Sequence, residues 1–181
     1  SSFCRTNLTS AQKATVMSTR RPILAAQATA SLGLAAGGAA GGLLAVAITA
    51  DDSSAAAPLG AMVLGAGVSA PAAAAIMVRA GRASGLVAGY LAGALGACLV
   101  LLAAGIGSLL WLVGGHFLLG SGNTSVMLSR YAVADLSPPR QRGRAISISM
   151  LTITAGAVIG PNLLGPASGL AHAIGLPGES G

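Results

Sequence analysis

A few polar side chains interrupt long apolar runs in this chain. His116, Gly120, Asn123, Met127 and Arg130 are spaced four, three, four and three apart. That spacing places them on one face of a helix. A histidine titrates near neutral pH, so His116 is able to carry a proton. The alternative is a neutral ring satisfied by a neighbouring backbone or hydroxyl group. Gln27 stands with Thr29 and Ser31 near the start of another apolar run and is expected to face a cavity. Asn162 directly follows Pro161, whose bend either aims the amide at a central cavity or leaves it capping a disrupted backbone. Polar groups in apolar surroundings are costly unless they face protein or water. His116, Asn123, Gln27 and Asn162 are therefore the candidate lining of a solute or proton pathway.

Other chemistry lacks the residues it needs. No Cys/His set has metal-ligand spacing, and no two carboxylates share an apolar run. The Gly-rich stretches lack the strand context and the Gly-Lys-Ser/Thr ending of a phosphate loop. An enzyme, a metal and a cofactor are accordingly not expected. Cys4 and Cys98 cannot make a disulfide framework, and Cys98 reads as a small packed hydrophobe.

The elements that position these residues are set by composition. The 181 residues are 54% hydrophobic and only 8% charged, against about 25% charged in ordinary soluble domains. Aromatics are 3% and glycines number 27, which suits closely packed membrane helices. The predicted class is all-α integral membrane, with spans at about 23–50, 55–78, 84–105, 108–130 and 145–171. Residues 1–22 are a polar segment whose natural start is expected at Met17, and 172–181 form a Gly/Pro-rich loop. Gly105-Ile106-Gly107 is the expected turn between the third and fourth spans. Pro58 suits a first helical turn and Pro71 a kink. Gly33, Gly37 and Gly41, and Gly85, Gly89 and Gly93, recur four apart and mark faces on which another helix packs.

Charge sets the orientation. With the N-terminus in the cytoplasm, all ten Lys and Arg fall on the inner side, and Asp51, Asp52 and Glu179 fall outside. The net charge of +6 is thus a topology signal; a nucleic-acid footprint would cluster and carry aromatics. The expectation is a multi-pass protein of the plasma (inner) membrane with a cytoplasmic N-terminus.

Several motifs resemble the major facilitator superfamily. The run Arg130-Tyr-Ala-Val-Ala-Asp-Leu136, followed by Pro138-Pro139 and Arg142-Gly-Arg-Ala145, looks like drug-efflux-type members. Gly156, Gly160, Pro161 and Gly165 match the fifth-helix antiporter pattern G-x-x-x-G-P-x-x-G-G, with Leu164 replacing one glycine. Arg79, Gly81 and Arg82 match the loop motif G-x-x-x-D-R-x-G-R-R, with Ala74 and Val78 in place of its glycine and its acid. That acid helps to lock the two halves of the family fold, so Asp135 is expected to substitute by pairing with a loop arginine. Leu112, His116 and Gly120 fit L-x-x-x-R-x-x-x-G, with histidine where the family's proton-linked arginine stands.

The resemblance covers roughly residues 20–172. It implies helices one to five of the family's N-terminal six-helix bundle, a bend at Gly156–Gly165, and a gating loop of Arg79, Gly81, Arg82 and Asp135. It also implies secondary transport of a small organic solute by alternating access, as proton-coupled efflux. Solute uptake by the same fold and a non-transporting membrane scaffold are the alternatives. The implied partners are the lipid bilayer, a small-molecule solute, protons and a C-terminal part of the same polypeptide, with no nucleic acid.

Overall fold

The computed structural model describes residues 10–162, with side chains from Pro22. Five long helices follow one another: α1 (Ser10–Thr49), α2 (Ala57–Ala80), α3 (Arg82–Ile106), α4 (Leu109–Asp135) and α5 (Arg142–Asn162). Short 3₁₀ turns at Asp52–Ala56 and Pro139–Gln141 lead into α2 and α5, and no strand occurs among the described residues.

The turns have local causes. Asp51 accepts from the Ser53 amide at 2.9 Å and the Ser53 hydroxyl at 2.6 Å, which fixes the chain between α1 and α2. Pro58 sits in the first turn of α2, where its missing N–H costs nothing. Gly107 ends α3 in the left-handed region at φ 64°, open to glycine without strain. Helix α1 begins at Ser10, so the helix that carries the first apolar run starts within the polar segment 1–22, while the run long and apolar enough to cross a membrane starts at Pro22. Ala11, Gln12, Lys13, Ala14 and Met17 are good helix formers, and no glycine or proline intervenes before Pro22.

Among the described residues, four segments are long and apolar enough to cross a membrane: Pro22–Thr49, Asp52–Ala80, Arg82–Ile106 and Pro139–Asn162. Large apolar side chains such as Val63, Leu95, Leu101 and Leu151 stand exposed on their surfaces, as expected of faces turned to lipid. The chain is an all-α, multi-pass membrane structure.

Helix α4 is not among the four. Its 27 residues give about 40 Å of helix, but Ser, Thr, Asn and His dilute its hydropathy. Packing accounts for this. Twelve residues of α4 are buried, against four each in α2, α3 and α5, and α4 packs on all four other long helices. A helix enclosed by protein has partners for its polar groups and needs no continuous apolar surface. Around it, α2 and α3 lie against α4, α5 lies against α1, and α1 crosses α4 directly. Helices α1 and α3 barely meet.

Candidate functional site

His116 lies at the crossing of α1 and α4 and is wholly buried. Its Nδ1 is 2.9 Å from the Leu112 carbonyl one turn back, and its Nε2 is 3.3 Å from the Gly37 carbonyl of α1. The ring fits because Gly41 has no side chain: a Cβ there would stand 2.6 Å from the His116 Cε1. Both partners are acceptors. A ring with one proton can donate to only one carbonyl, and a ring with two protons can donate to both. No carboxylate within the described spans faces the ring, since Asp51, Asp52 and Asp135 stand at helix ends.

Gln27 is also wholly buried. Its Oε1 accepts from the Ser149 hydroxyl of α5 at 2.8 Å, while its Nε2 is buried without a partner among the described residues. Asn123 is half-buried on α4. Arg130 reaches α5 with its guanidinium 3.9 Å from the Met150 sulfur, and it stacks 4.9 Å from the Tyr131 ring. On the other flank of α4, the Thr124 hydroxyl donates to the Ala66 carbonyl of α2 at 3.0 Å and lies 3.1 Å from the Ser69 hydroxyl. The polar groups of α4 thus tie it to its neighbours.

These candidates do not converge on one pocket. A cavity of about 470 Å³ lies between α1 and α3 on the floor of α4, lined by Thr29, Gly33, Tyr90, Gly93, Leu119 and Gly122 among others. Neither His116 nor Gln27 lines it. The Tyr90 hydroxyl is buried without a partner among the described residues. Sequence reasoning passed over Tyr90 and Ser149. The available signal for Tyr90 was a phenol amid Ala, Gly and Leu; Ser149 carried none.

The loop motif is explained by geometry. Gly81 joins α2 to α3 at φ 92°, ψ 161°, a backbone that only glycine adopts freely. The turn delivers Arg82 to Asp135 at the end of α4, and the two form an ion pair. Arg79 is exposed. Val78, which stands where the motif has its acid, is 87% exposed, so the acid in this corner comes from α4 instead.

On α5, Gly156 and Gly160 are the contact to α1. A Cβ at Gly156 would come within 2.9 Å of the Leu32 amide, and one at Gly160 within 2.6 Å of the Leu32 carbonyl. Pro161 is exposed inside the last turn. Asn162 is exposed and turns back on its own helix, donating to the Val158 carbonyl at 2.7 Å. Gly165 and the predicted loop 172–181 lie outside the described residues.

Two curated proteins of Bacillus subtilis (strain 168) are similar to the chain. One is the uncharacterized MFS-type transporter YdeG, 38% identical over 149 residues, covering 82% of this chain and 35% of that protein. The other is the uncharacterized MFS-type transporter YddS, 38% identical over 149 residues, covering 82% of this chain and 34% of that protein. The chain therefore spans about a third of the length of these relatives. No protein-family model and no solved structure matches it. The matched 149 residues are thus similar to part of two MFS-type transporters.

Proposed function

We propose that the chain forms part of the N-terminal bundle of a major facilitator superfamily transporter in the plasma membrane, five spans with the N-terminus inside. In this reading it moves a small organic solute outward by alternating access, coupled to protons. The observation that carries the proposal is the polar, enclosed α4 crossing α1 at His116. A helix too polar to face lipid is sheltered by four apolar ones, and its titratable ring touches the partner helix through a glycine gap. Rigid-body rocking of bundles needs helix contacts of this kind.

His116 is the proposed proton carrier. Adding a proton creates a second N–H facing a carbonyl across the α1–α4 crossing, and removing it leaves one contact without a hydrogen. Protonation then alters how tightly the crossing is held. Gln27 and Asn123 are the proposed polar lining, Gln27 through its unpartnered amide. Asn162 belongs to the pathway only if α5 turns it toward a second bundle. Arg79, Gly81, Arg82 and Asp135 form the proposed gate, and Gly156, Gly160, Pro161 and Gly165 the proposed bending point.

The test uses the full-length protein in inverted membrane vesicles with an imposed proton gradient. Expected are gradient-dependent accumulation of a solute and its loss in His116→Gln, with exchange of solute without a gradient retained. Unchanged gradient-driven flux in that variant would remove His116 from the coupling. Flux in the opposite direction would favour uptake. A deletion that alters no solute but dissolves a membrane complex would favour the scaffold reading.

A further inference from the structure

The end of the bundle where α2 and α4 finish and α3 and α5 begin is strongly basic. Arg79, Arg82, Arg130, Arg140, Arg142 and Arg144 stand there. Its acid among the described residues is Asp135, already paired with Arg82. The opposite end, around Asp51–Asp52 and Ile106–Leu109, has no basic residue. So the charge on Arg140, Arg142 and Arg144 is not neutralised by any carboxylate of the described residues, and all three side chains are exposed.

Depth adds to this. From Ala145, which is 1% exposed, α5 runs uncharged to Asn162. The three arginines stand immediately before this uncharged run, and residues that flank a bilayer-spanning run lie at the level of lipid headgroups. Gln141 and Arg144 also line a pocket of about 220 Å³ together with Ala145 and Ile148. A mostly polar, cationic pocket with Ile148 at its edge matches a phosphate headgroup with its glycerol backbone. A nucleic acid would gain nothing from Ile148, and the 3₁₀ turn Pro139–Gln141 carries no stacking aromatic.

We propose that the corner formed by Gln141, Arg144 and Ile148 binds the headgroup of an anionic phospholipid, with the exposed Arg140 and Arg142 adding to the attraction. The inference is independent of what the bundle carries. A surface arginine near an anionic membrane contributes about 1 kcal/mol, which is about a fivefold change in affinity. The experiment is native mass spectrometry of the purified full-length protein with phosphatidylglycerol or phosphatidylcholine. Expected is selective retention of phosphatidylglycerol, weakened about fivefold in Arg144→Gln and about 25-fold in Arg140→Gln/Arg144→Gln if the two contributions add. Arg140→Lys/Arg144→Lys should keep most of it. Equal retention of both lipids, or undiminished retention in the double Gln variant, overturns the proposal and leaves the arginines as topology determinants only. Displacement of phosphatidylglycerol by millimolar inorganic phosphate also overturns it, because the corner would then be a small-anion site.

Discussion

At the residue scale, the buried hydrogen bonds decide which side chains matter. Ser149 and Gln27 are both fully buried and bonded across α1 and α5. Replacing Ser149 with Ala leaves the whole Gln27 amide without a partner, which costs about 1–3 kcal/mol. The double variant Gln27→Leu/Ser149→Ala removes both ends, so it should cost less than the two single changes summed. Thermal unfolding of the full-length protein in detergent checks this; strict additivity would mean the bond contributes nothing. Outside the membrane, Asp51 gives a pH effect of definite sign. The Ser53 hydroxyl, and then the Ser53 amide, hold its carboxyl below the ordinary value of 3.8. The contribution to the turn is present above that value and is lost as the pH falls through the lowered one. Amide protection at Ser53 and Ser54, taken relative to the intrinsic exchange rate at each pH, should fall on acidification, and Asp51→Asn should abolish the change.

At the scale of elements, glycine-mediated approach holds the helices together, and the close contacts are distinguishable from idle glycines. A Cβ at Gly65 would come within 2.8 Å of the Phe117 carbonyl carbon on α4, whereas Gly67, two residues along α2, has nothing within 4 Å. Gly65→Ala should destabilise by about 1–3 kcal/mol by forcing α2 off α4. Gly67→Ala should be neutral or stabilising by up to about 1 kcal/mol. Equal effects in a thermal-shift series would contradict the packing described. The Arg82–Asp135 pair is about half exposed at both partners. Its coupling in a double-mutant cycle should stay below about 1 kcal/mol, even where either single change alters transport.

Much of this level was legible in the sequence. Charge-free runs marked where the long helices lie, but not all their ends: α1 begins at Ser10, well before the expected 23, and α4 runs on to Asp135, beyond the expected 130. The turns at Gly81 and Gly107 showed because each sits where the chain must reverse. The partner of a loop arginine could be anticipated in Asp135 from the family resemblance, because Val78 stands where the motif has its acid and Asp135 ends the fourth helix. The arrangement of the helices was not legible. Gly33, Gly37 and Gly41 form one stripe in the sequence, yet only Gly41 is filled by His116, while Gly33 lines the cavity. Which glycine meets which neighbour depends on crossing angles set by all five helices together. The same holds for Ser149, whose partner lies 122 residues away.

At the scale of the whole molecule, the central claim is that α4 crosses the membrane at the heart of a helical bundle, although its own hydropathy does not require it to. The crossing fixes which side the Pro138–Arg144 loop occupies. If α4 crosses, Gly81 and Gln141 share one side, cytoplasmic in the proposed orientation, and Ser53 and Ser108 lie opposite. If it does not, Gln141 moves to the side of Ser108. The direct measurement is membrane-impermeant thiol labelling of single-cysteine variants of the full-length protein, with Cys4 and Cys98 replaced by Ser, in intact cells and in inverted vesicles. The bundle described here predicts that Gln141→Cys labels only in inverted vesicles and Ser108→Cys only in intact cells. Labelling of Gln141→Cys and Ser108→Cys from the same side would contradict it, and with it the buried His116 crossing on which the proposed transport mechanism rests.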